Sequence, residues 1–119
     1  MRIFTSFIVA VMLISVPCYA SVKTIGKGDS LNFDPAGIPA NLKSNYDIMK
    51  VKCSKCHTLE RTVIATTTGI APITGQPFDL TATRACGINM SRKTQTKMNK
   101  EEAKAVVDLL NYLVDEAAR

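Results

Sequence analysis

Within Cys53-Ser54-Lys55-Cys56-His57, two thiols stand three residues apart and the chain's only histidine follows the second. Three chemistries use two thiols and an imidazole. A structural zinc site needs four ligands, and the chain offers three here, one distant Cys86, and no second Cys-x-x-Cys or His-x3-His pair. A redox dithiol at a helix start expects alternating strands and helices around it, and no such alternation is visible. The third chemistry is covalent haem. Cys-x-x-Cys-His is the attachment signal for a c-type haem. The thiols of Cys53 and Cys56 add across two vinyl groups on one porphyrin edge, and His57 presents its imidazole to the iron as an axial ligand.

Something must hold this segment in place. A first helix is expected from 44 to about 53, with Ser44 as its cap and Asp47 near its positive end. Residues 66–77, "TTTGIAPITGQP", read as a long loop of the kind that wraps or binds something. A second helix is expected from 79 to about 89, with Leu80, Ala82, Ala85, Cys86 and Ile88 as a loosely periodic apolar set. Residues 90–97 are polar and read as irregular. The last helix, from about 100 to 117, is the clearest element. Asn99 caps it, Glu102 completes a capping box, and Ala103, Val106, Leu110, Leu113 and Ala117 recur at helical spacing beside Leu109 and Tyr112. Residues 21–43 hold Gly and Pro without helical period. They read as an extended arm whose Phe33, Ile38 and Leu42 pack back onto the domain.

The chain of 119 residues, formal charge +5, suits one globular domain. It has no Trp, three Tyr and four Phe, so a core of side chains alone would be thin; a haem would supply a large flat apolar body. Residues 1–20 have the grammar of a secretory signal peptide: Arg2, an apolar run, then Cys18-Tyr19-Ala20 before Ser21. The run is too short to span a membrane comfortably, and Pro17 and Ser15 disfavour acylation at Cys18. Cleavage after Ala20 leaves 99 residues, a formal +4 and an odd three cysteines in an oxidising compartment. The periplasm is the expected location, without a stable membrane anchor.

"YDIMKVKCSKCHTLERT" and "MNKEEAKAVVDLLNYLV" resemble the two ends of a small monohaem class I c-type cytochrome, over about residues 44–117. The resemblance implies an all-α fold in which N- and C-terminal helices cross near a right angle around the covalently bound haem, with long loops. Leu109 and Tyr112 match the last helix's contact pair, whereas Asn45 and Met49 stand where the family has glycine and an aromatic. It also implies a methionine as sixth ligand. Met49 reads as core and Met98 as a staple against Ala103, which leaves Met90 preferred, with Met98 as alternative. A carbonyl after the motif, Pro72 by position, would orient His57.

The expected cofactor is one haem c, with Cys53, Cys56, His57 and Met90 as its binding residues and His57 and Met90 on the metal. The function that follows is one-electron carriage, with no catalytic residues and no enzyme activity. Its rivals are a haem sensor or peroxidase-like protein with a labile sixth site, and a cytochrome subunit docked on a larger redox complex. Lys50, Lys52, Lys55, Arg92, Lys93, Lys97, Lys100 and Lys104 would steer an acidic redox partner if they rim the haem edge; nucleic acid is not an expected partner, and a monomer is. Cys86 reads as a small buried apolar residue.

Overall fold

The computed structural model describes residues 22–119; the expected signal peptide and its cleavage site lie outside them. The described chain is mostly helical, with a two-stranded antiparallel ribbon, β1 (Thr24–Ile25) and β2 (Asn32–Phe33), ahead of four helices. These are α1 (Lys43–Cys53), α2 (Glu60–Thr68), α3 (Leu80–Ser91) and α4 (Lys100–Ala117). No helix among the described residues is long and apolar enough to cross a membrane.

The arm expected to pack back does so. Three short 3-10 turns, Gly28–Ser30, Pro35–Gly37 and Ala40–Leu42, fold residues 22–42 over the helices. Phe33 and Ile38 are buried in the core, and Leu42 packs against it. Phe33 meets Tyr46 edge to face with ring centroids 6.3 Å apart. Its carbonyl accepts a 2.7 Å hydrogen bond from the Tyr46 hydroxyl, so the one buried phenol has a partner.

Helix α4 is the hub: it packs against α1, α2 and α3. The capping box forms as its sequence requires, with Asn99 Oδ1 accepting from the Glu102 N–H at 2.8 Å and Glu102 Oε2 accepting from the Asn99 N–H at 3.1 Å. The apolar stripe Val106, Leu109, Leu110 and Leu113 is buried. Opposite it, α1 buries Tyr46 and Met49. Asn45 makes the contact specific, its Nδ2 donating to the Ala105 carbonyl at 3.0 Å. Helix α1 begins one residue before the expected cap. Leu42 holds the cap position without a side-chain bond, and Ser44 turns its hydroxyl to Asn45 Oδ1 instead.

Helix α2 was not expected from sequence. Its end, Thr66-Thr67-Thr68, was read as the start of a loop because β-branched residues disfavour helix. Here each hydroxyl donates back to the carbonyl four residues earlier: Thr66 to Thr62 at 2.7 Å, Thr67 to Val63 at 2.8 Å and Thr68 to Ile64 at 2.6 Å. This local bonding lets threonine sit in helix. The helix stops at Gly69, whose φ of +74° makes the left-handed cap that glycine takes without strain. The loop that follows closes on itself through Ala71 N–H to Gln76 O and Phe78 N–H to Gly69 O, both 2.8 Å.

Helix α3 runs as read, with Asp79 Oδ1 capping the Ala82 N–H at 2.9 Å, but two of its expected apolar contacts fail. Leu80 and Ile88 are each nearly half exposed. The face toward α4 is instead Thr83 and Gly87, both buried. Gly87 lies where a Cβ would strike the Val107 side chain, so the absence of a side chain there permits the close approach of the two helices.

Truncating the α1–α4 contact with Met49→Ala is expected to cost about 2–5 kcal/mol, and removing the cap with Asn99→Ala about 1 kcal/mol. Urea unfolding followed by far-UV circular dichroism measures both.

Candidate functional site

Helix α1 delivers the chain to Cys53, and residues 54–58 then turn before α2. Cys53 is the last helical residue and faces the core, whereas Cys56 is exposed on the turn. Burial pushes the Cys53 thiol up to about 11, reinforced by the nearby Cys86 sulfur. His57 is half-buried, and its Nδ1–H donates to the Thr58 carbonyl at 2.7 Å. A ring nitrogen engaged in this way fixes the tautomer and leaves Nε2 as the nitrogen with a free lone pair. Thr58, immediately after the motif, therefore takes the orienting role expected of Pro72.

His57 opens onto a cavity of about 480 Å³, within the range of small-molecule and cofactor sites. One wall is α2, through Arg61, Thr62 and Ala65. A second is the loop through Ala71, Pro72, Ile73, Thr74 and Phe78. The third is α3. On α3 the lining residues are Ala82, Ala85, Cys86, Asn89 and Met90, the 3–4 spacing of one helical face. This explains the misread period of the helix: its apolar and small residues serve two directions, Thr83 and Gly87 toward α4 and the Ala-Ala-Cys-Met set toward the cavity. Ile73, on the loop, is two-thirds exposed at the cavity.

Of the methionines, Met90 is half-buried on the cavity wall, one wall away from His57. Met98 is buried in the hydrophobic core and also lines a separate groove between α3 and α4 together with Ala103, in keeping with the staple. Met49 is fully buried in the core. The end of α3 that carries Met90 is pinned by a residue that the polar composition of 90–97 concealed. Thr96 is buried, and its hydroxyl lies 2.8 Å from both the Met90 and the Lys93 carbonyls. Lys97 adopts a φ of +48°, uncommon outside glycine; Lys52 of α1 donates to its carbonyl at 2.9 Å and pairs with Glu102 at 3.4 Å. The backbone N–H of Asn99, and after it Lys52, hold the Glu102 carboxyl below the usual carboxylate range.

Three of the eight basic residues expected at a rim are engaged by neighbouring groups. Lys50 pairs with Asp47 at 3.3 Å and lies 4.7 Å from the Tyr46 ring centroid, Lys52 is engaged as above, and Lys104 pairs with Asp108 at 2.6 Å. The cation on the cavity wall is Arg61. Cys86 is half-buried and lines the cavity, and burial raises its pKa.

A c-type haem needs an oriented imidazole, a donor for the opposite side of the iron, two nearby thiols and apolar walls. The residues fit in the first two and the last. Cys56 is accessible beside His57; Cys53 lies in the core and would have to turn its sulfur outward. Among the described residues no cluster of three or more His, Cys, Asp or Glu could hold a metal ion, and a porphyrin iron asks for no such cluster. Compared with known proteins, the chain matches no family model, no curated protein and no solved structure.

The two thiols of the motif should differ in reactivity in the haem-free chain. Iodoacetamide at pH 8 is expected to modify Cys56 first, and the Cys53 rate should climb about tenfold per pH unit toward about 11, because the thiolate is the nucleophile. Trypsin separates the two sites at Lys55, so peptide masses read each one directly.

Proposed function

We propose that this chain is a one-electron carrier built around a single covalently attached haem c, of the small class I c-type cytochrome kind, exported to the periplasm. The observation that supports the reading is the cavity shared by Met90 and His57, the histidine of the Cys-x-x-Cys-His motif. Bound haem would supply a ferric–ferrous couple that exchanges a single electron.

The chain's residues have distinct tasks. Cys56 and Cys53 would carry the thioether bonds. His57 would give Nε2 to the iron, its other ring nitrogen being held by Thr58. Met90 would supply a soft thioether, and thioether ligation with histidine raises the potential of such a couple. Ala65, Ala71, Pro72, Ala82 and Ala85 exclude water and keep the local dielectric low, a second control on potential. Arg61, on the cavity wall, would meet a propionate carboxylate. The apolar Ile73 at the mouth gives a partner protein a surface to touch, and the remaining positive charge would favour an acidic one.

The test is direct. Produced in a host that attaches haem covalently, the wild-type chain should keep its colour through acid-acetone treatment and gain the mass of one haem. Cys53→Ser/Cys56→Ser should do neither. The oxidised protein should show the weak red band of sulfur-to-ferric-iron bonding, and the reduced protein should take up carbon monoxide slowly. Colour extracted by acid-acetone, or a mass equal to that of the bare processed chain, overturns the proposal. Rapid carbon monoxide binding favours the sensor-like alternative.

A further inference from the structure

The sulfur left over by the attachment motif lies on the same cavity as the two proposed axial ligands. Cys86 and Met90 are four residues apart on α3, and both line the cavity that His57 enters. Residues four apart stand on one helix face, about 6 Å apart along the axis. The wall of α3 therefore carries two sulfur donors, a thiol and a thioether, one turn from each other. The rest of that face is Ala82, Ala85 and Asn89, none of which is a large side chain standing between either sulfur and the cavity. Among the described residues the Cys86 thiol has no disulfide partner.

Resting on the haem reading above, we propose that Cys86 is an alternative sixth ligand, which takes the iron when Met90 leaves it. The exchange breaks one iron–sulfur bond, to the Met90 thioether, and makes another, to the Cys86 sulfur. The thiol proton passes to solvent through the open side of the cavity, and no electron is gained or lost. Thioether ligation favours the ferrous state and thiolate ligation donates electron density to the metal. The two ligation states thus have different potentials, the Cys86-bound one lower. The Thr96 hydroxyl donates to the Met90 carbonyl at 2.8 Å, at the end of α3.

Four haem-loaded full-length proteins test this: wild type, Met90→Ala, Cys86→Ser and the double variant. Met90→Ala is expected to remain low-spin in the ferric state, with the electron paramagnetic resonance signature of a thiolate ligand and a midpoint potential below wild type. Adding Cys86→Ser should convert it to a high-spin, open site that binds carbon monoxide rapidly once reduced. Cys86→Ser alone should keep the wild-type spectrum. A second readout uses the thiol itself: in ferric Met90→Ala, Cys86 should resist iodoacetamide, and reduction under carbon monoxide should release it. If Met90→Ala and the double variant have the same spin state, or Cys86 alkylates equally in both oxidation states, the proposal is overturned. Failure of the haem reading would look different, because every variant would then have the mass of the bare chain.

Discussion

Burial of one face of α4 holds the molecule together. The stripe Val106, Leu109, Leu110 and Leu113 meets Tyr46 and Met49 of α1, and the opposite flank takes Gly87 of α3 at close range. The arm adds Phe33 and Ile38 to the same core. Each of the three partner helices is too short to be stable alone in water, so their positions are set by what α4 offers them. The cavity is a result of this arrangement: α2 and α3 both lean on α4, and the space between their free faces is closed on the remaining side only by the 69–79 loop.

Much of this was legible in the residue pattern where a strong local rule and the tertiary demand agreed. Asn99, Glu102 and the three- and four-residue steps of α4 mark that helix's limits, and the arm's Phe33 and Ile38 are readable as anchors because they are large apolar residues in a polar setting. Helix α2 was not legible: its threonines carry a low helical preference that their back-bonded hydroxyls offset, and that bonding leaves no mark in spacing. Thr96 was hidden for a related reason, as a polar residue in a polar run whose burial follows from where α3 ends. For the site, the motif pointed to Cys53, Cys56 and His57 by spacing alone, and Met90 by its lack of any packing duty. Sequence could not foresee that Thr58 would orient the histidine, or that Cys86 would stand on the cavity wall.

Helix α3 illustrates how a weak amphipathic pattern arises. A helix with one buried face shows one apolar stripe. Helix α3 has two inward faces, one filled by its neighbour through small buried residues and one lining an open cavity. Its apolar residues are therefore spread around the cylinder, and Leu80 and Ile88 are left at the surface. The small side chains on the second face leave the cavity open between α2 and α3.

The reach of Lys52 has a dynamic consequence. From the helix that ends in the thiols, it grips the carbonyl of left-handed Lys97 and the carboxylate that starts α4. The end of α1, the turn after α3 and the start of α4 are thereby joined through a single ammonium group. Sub-global opening releases one cooperative unit at a time, and this contact couples the release of α1 to that of the α4 start. Hydrogen exchange in the two segments would rise and fall together.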